Sequence, residues 1–129
     1  MTTELQMLAL SVVLGLAYIV LSASFATSQR SLTWNAGPRD DALPLLIGVA
    51  GRLDRALRNF LETFPLFAAA VLIAHVANRH SEMTIWGTQL YFWGRLIYLP
   101  LYAFGIPFVR TLAWFVATLG IVLILFALV

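Results

Sequence analysis

The sequence predicts an all-α integral membrane protein: a four-transmembrane-helix up-and-down bundle forming one domain over residues 1–129. The first observation behind this is composition. Hydrophobic residues make up 61% of the chain and charged residues 11%, too few to clothe a soluble domain of this size. The second is the length of the uncharged runs. Leu5 to Gln29 and Thr111 to Val129 carry no charge, and about 20 residues suffice for a helix to cross the hydrocarbon. The third is the polar turn chemistry that separates four apolar stretches, with no internal repeat, low-complexity segment or second domain.

The first helix is expected over residues 5–27. Ser22, Ala23, Ser24 and Ala26 resemble a signal-peptide cleavage region, but Glu4 is the only charge ahead of the apolar run and no basic segment precedes it, so this helix reads as retained. In the loop that follows, Asn35, Gly37 and Pro38 are turn residues, and Asp40 and Asp41 can cap the next helix. That second helix is expected over 43–77, with Pro44 tolerated in its first turn. Thr63 to Asn78 is uncharged but too short to cross alone, so the span must include its charged upstream neighbours. Pro65 removes the hydrogen bond to Leu61 and predicts a bend beside Glu62. A polar turn at 78–82 leads to a third helix over 83–104 that carries Arg95. Gly105 and Pro107 end it before a fourth over 108–129.

Arg30, Arg39 and Arg110 fall on one side of such a bundle and Arg79 on the other, which places both termini away from the cytoplasm. All eight basic residues are arginine. Guanidinium is weakly hydrated, always charged and suited to planar bidentate contacts, so it serves buried recognition better than ammonium does. Several of these charges belong to spans and not to a surface patch, which argues against nucleic acid as a partner.

What the chain lacks narrows the chemistry. Without cysteine it has no disulfide, protein thiol nucleophile or thiolate metal site. His75 and His80 lie about 140° apart on an ideal helical wheel, and no carboxylate stands at metal-ligand spacing, so no metal site is expected. No glycine-rich phosphate loop is present. Sulfur or redox chemistry would need a cosubstrate that brings its own thiol.

The remaining constellation is unusual for membrane depth. Arg52, Arg55, Asn59 and Glu62 share a stripe of about 80° on the second helix, flanked by Arg58, while Tyr91, Arg95, Tyr98 and Tyr102 share a narrow stripe on the third. Charged residues inside a span face protein or water and mark working sites by default. Arg52, Arg55, Arg58, Arg95 and Arg110 outnumber Asp54 and Glu62, so the region is suited to receive an anion. In a purely structural alternative, Glu62 bridges Arg55 and Arg95 and the other arginines reach for headgroups. Each tyrosine taken singly could equally be an interfacial anchor.

The run from Arg52 to Phe67, with Arg55-Ala56, Asn59, Glu62 and Pro65 at fixed spacing, resembles the second-helix signature of the MAPEG superfamily, membrane-associated proteins in eicosanoid and glutathione metabolism. The likeness extends to chain length, to four spans and to Gly94-Arg95 followed by Tyr98 and Tyr102, and it suggests a bacterial-type member. It implies a homotrimer with glutathione as cosubstrate, bound between subunits near the cytoplasmic side. For a bacterial chain, the site of residence is the inner, cytoplasmic membrane. Arg52, Arg55, Arg58, Asn59 and Glu62 match binding positions on the second helix, and Arg95, Tyr98 and Tyr102 match positions lining the same pocket. Arg110 matches the arginine assigned to stabilise the glutathione thiolate, with Thr111 where some members have serine.

Three positions depart from the pattern. Gly51 replaces the usual acidic residue, Leu57 stands where several members carry His or Gln, and Trp114 stands where some have Tyr. The expected function is glutathione conjugation to, or glutathione-dependent reduction of, hydrophobic electrophiles or peroxides, with a hydrophobic small molecule or lipid entering from the membrane. A non-catalytic membrane scaffold or lipid-binding protein of the same fold is the second expectation.

Overall fold

The computed structural model describes residues 1–41 and 43–129. It contains four long helices and one short one: α1 Thr3–Arg30, α2 Leu32–Ala36, α3 Gly48–Val76, α4 Glu82–Ala103 and α5 Pro107–Leu128. Three of them, α1, α3 and α5, are long and apolar enough to cross a membrane. Though long enough, α4 is less apolar and is not among these three.

Several helix ends have a local cause. Leu5 N–H donates to the Thr2 hydroxyl at the start of α1. A reciprocal capping box opens α4: Thr84 N–H donates to Ser81 Oγ, and Ser81 N–H donates to Thr84 Oγ1. Gly105 at φ 72° turns the chain after α4, and Pro107 occupies the first turn of α5, where its missing N–H is not needed.

The start of α3 corrects the sequence expectation. The helix begins at Gly48, not at residue 43; Asp40, Asp41 and Pro44 lie outside it, and its N-cap Ile47 has no side-chain cap. The cause is a side chain 18 positions upstream. Gln29 donates to Ile47 O at 3.1 Å and accepts from Ile47 N–H at 3.0 Å, so one carboxamide satisfies both polar groups of that residue. Arg30 donates to Pro44 O. The backbone of 44–47 is thereby strapped to the end of α1 instead of joining the helix. The short α2 was also not anticipated; Ser31, at φ 123°, marks the break between it and α1.

The interior divides into two apolar clusters. One holds Phe67, Tyr91, Ala117 and Ile124, with the rings of Phe67 and Tyr91 stacked 3.9 Å apart. The other holds Leu14, Tyr18, Ala56 and Phe60, with Tyr18 and Phe60 stacked at 4.7 Å. Between α4 and α5 the backbones nearly touch. A Cβ added at Gly87 would stand 2.6 Å from the Gly120 carbonyl oxygen, and one at Gly94 only 3.1 Å from the Ala113 carbonyl oxygen. Large apolar side chains such as Val20, Leu66, Trp86 and Phe126 point outward, as a hydrocarbon surround permits.

Candidate functional site

The two polar stripes expected on the second and third helices do meet, now on α3 and α4, and Arg95 is the junction. It is fully buried. Its Nη1 donates to Asn59 Oδ1 at 2.7 Å, and its Nη2 donates to Thr63 Oγ1 at 2.7 Å and to the Asn59 main-chain oxygen at 3.3 Å. The Tyr98 ring faces the guanidinium at 5.0 Å and the Tyr91 ring at 5.9 Å. From α1, the Tyr18 hydroxyl donates to the Arg95 carbonyl at 2.6 Å. Among the described residues no carboxylate pairs with Arg95, so neutral dipoles and aromatic faces hold the charge. This removes the structural alternative in which Glu62 bridges Arg55 and Arg95: Glu62 lies on an exposed face of α3.

A second group of arginines gathers where α4 turns into α5. Arg52 donates from Nε to the Ala103 carbonyl at 2.9 Å. Arg55 donates from Nε to the Tyr102 hydroxyl at 3.2 Å, and the Arg110 guanidinium lies 4.5 Å from the Tyr102 ring centre. Beside them is a cleft of about 290 Å³ lined by Asn59, Tyr98, Tyr102, Arg110, Thr111 and Trp114. It takes one wall from α3, one from α4 and one from α5. Arg58 belongs to neither group, pairing at 3.1 Å with Asp54 one helical turn earlier while its side chain stays 74% exposed.

The three sequence departures acquire causes here. The Leu46 carbonyl oxygen sits 2.6 Å from where a Cβ on Gly51 would be, so the strapped segment excludes any side chain at that position. Leu57 packs against the second apolar cluster, and Trp114 closes one side of the cleft.

Two contributors escaped the sequence reading. Thr63 stands one helical turn after Asn59, a spacing that brings two side chains together, so its place beside Arg95 could have been found. Tyr18 lies alone in an uncharged span, and only the question of where its buried hydroxyl must bond would have raised it.

Fold and cleft together define what similar proteins should share. A family model described as the MAPEG family matches residues 7–129, nearly the whole chain. The chain belongs to the MAPEG family. No curated protein and no solved structure matched it. As a member of a membrane family that includes glutathione transferases and peroxidases, it places Asn59, Tyr98, Tyr102, Arg110 and Thr111 around one opening. Arg52 and Arg55 stand alongside, Arg95 is sealed behind, and Arg58 and Glu62 face outward.

Proposed function

We propose that this protein is a glutathione-dependent membrane enzyme that conjugates glutathione to hydrophobic electrophiles or reduces hydrophobic peroxides. The observation that carries this reading is the cleft wall. Its polar equipment is one guanidinium, two phenols, a carboxamide, a hydroxyl and an indole N–H, with no carboxylate lining the opening among the described residues. Such a wall suits an anion with several acceptor groups, and glutathione offers two carboxylates and a thiol that reacts as thiolate.

In this reading Asn59, Arg55 and Tyr102 hold polar groups of the tripeptide, and Arg110 stands against the sulfur. A cation beside a thiol favours its ionised form and makes it nucleophilic at neutral pH. In conjugation the thiolate sulfur donates its electron pair to the electrophilic carbon, a C–S bond forms, and the leaving group departs with its own pair. The apolar partner enters from the hydrocarbon side. The assembly is a homotrimer of four-span subunits: the outward Glu62 and exposed Arg55 support a shared face, because charge at membrane depth calls for a protein or water neighbour.

Glutathione titration of the detergent-purified protein, followed by turnover with a generic apolar electrophile, tests this. Binding with turnover supports it; binding without turnover favours the scaffold; absence of binding overturns it. Within the same assay, Arg110→Ala is expected to leave glutathione affinity largely intact, raise the pKa of the bound thiol and slow conjugation by about a hundredfold, a loss of about 2.7 kcal/mol in transition-state stabilisation. Thiolate absorbance against pH and the rate would be read together. An unchanged titration and an unchanged rate would remove Arg110 from the mechanism.

A further inference from the structure

A carboxamide has a donor end and an acceptor end of almost equal size, so an asparagine lining an open cleft can present either. In this cleft the choice is made from behind. Arg95 Nη1 lies 2.7 Å from the side chain of Asn59. A guanidinium carries donors and no acceptor, so the atom facing it must be the carboxamide oxygen. The Asn59 nitrogen is then the end left for the cleft that this residue lines.

The lock is stiff because Arg95 is itself held. Its second terminal nitrogen bonds Thr63 Oγ1 and the Asn59 main-chain oxygen, on the same face of α3. The Tyr98 ring stands across the guanidinium, and the Tyr18 hydroxyl secures the carbonyl of the same residue. Burial is complete, so Arg95 has no route to a ligand in the cleft. A cation at the oxygen end also polarises the amide and strengthens its N–H groups as donors.

We infer that Arg95 is a positioning residue that acts through Asn59, locking the carboxamide so that the α3 wall of the cleft offers N–H donors to a carboxylate of the bound peptide. Arg95 thus moves from direct ligand contact, as its place in the sequence suggested, to control of polarity at one wall. The inference rests on the glutathione reading for the identity of the ligand, but not for the orientation of the amide.

Asn59→Asp separates this role from a structural one. Aspartate has nearly the same shape and keeps an oxygen toward Arg95, so thermal stability should match or exceed that of the parent. Its second oxygen would turn an acceptor and a negative charge toward the cleft. Glutathione should bind at least about tenfold more weakly than to the parent, and more weakly than to Asn59→Ala. If Asn59→Asp binds glutathione as well as Asn59→Ala or better, the inference is overturned.

A ligand-free measurement keeps the question decidable. In ¹⁵N-edited NMR of the detergent-solubilised protein, the Asn59 side-chain NH₂ signals, assigned by their loss in Asn59→Asp, should show proximity to Tyr102 or Arg110. In Arg95→Met that single orientation should give way to two or to an averaged signal. Proximity to Thr63 in the parent instead, or no change in Arg95→Met, overturns the assignment. A parent that fails to bind glutathione refutes the proposed function alone and leaves the NMR result to decide the orientation.

Discussion

Two polar clusters in this protein use buried charge in opposite ways. Where α1 begins beside the turn into α4, Glu4 is 5% exposed, accepts from Thr84 Oγ1 at 2.7 Å and lies 3.2 Å from His80 Nδ1. The His80 ring in turn meets His75 edge-on. There the carboxylate has partners from the adjoining helix and turn. Around α3 and α4, Arg52, Arg55 and Arg95 meet neutral acceptors, and among the described residues no carboxylate lines the adjoining cleft. The carboxylate of Glu4, matched within the fold, fastens helices; the guanidinium of Arg95, answered only by dipoles, is sealed from the cleft and bears on it through Asn59. The contrast shows how the same physics, charge removed from water, yields a clasp in one place and a receptive wall in another.

Removing Arg95 would press hardest on this comparison. Arg95→Ala leaves a large void and frees the carboxamide of Asn59 and the hydroxyl of Thr63, so thermal unfolding in detergent should show a loss of about 3–5 kcal/mol. A loss below about 1 kcal/mol would mean that the buried guanidinium holds nothing together. At the clasp, Glu4→Ala removes the carboxylate shared by Thr84 and His80, though Thr84 keeps the Ser81 carbonyl as acceptor, and should cost about 1–3 kcal/mol in the same experiment while leaving glutathione affinity unchanged. Altered affinity there would blur the division between the two clusters. The smallest effect is expected at Arg58. Its pair with Asp54 is largely exposed, so Arg58→Ala should change stability by no more than about 0–1 kcal/mol. A larger loss would show that this arginine is covered in the assembled protein.

Much of this arrangement was legible before any coordinates. Helical spacing alone put Asn59 and Arg95 on polar stripes of neighbouring helices, and those stripes do meet. The partner of each residue within a stripe was not legible. Periodicity fixes which face a residue occupies to within tens of degrees, whereas choosing Asn59 and Thr63 over Glu62 as the partners of Arg95 depends on the axial register of α3 against α4. The strapped segment 44–47 was hidden for another reason: Gln29 bonds a backbone 18 residues away, and one such contact leaves no repeating pattern. Asp40 and Asp41 do have the chemistry of helix caps, but the strap moved the helix start beyond their reach. Glu4 stood out only as a lone charge ahead of an apolar run, and nothing nearby in sequence indicated Thr84 as its partner.

The near contact of backbones at Gly87 and Gly120 bears on how the cleft can breathe. With carbonyls and amides in the place of side chains at these glycines, α4 and α5 have no compressible layer between them there and pack as one plank. Tyr98, Tyr102, Arg110, Thr111 and Trp114 all ride on that plank, and from α3 Asn59 lines the cleft while Arg55 bonds the Tyr102 hydroxyl beside it. Close packing of α4 against α5 leaves the α3 side as the softer wall of the opening. Movement of that wall would have to strain the bonds that tie α3 to α4, from Arg52 to Ala103, from Arg55 to Tyr102 and from Arg95 to Asn59 and Thr63.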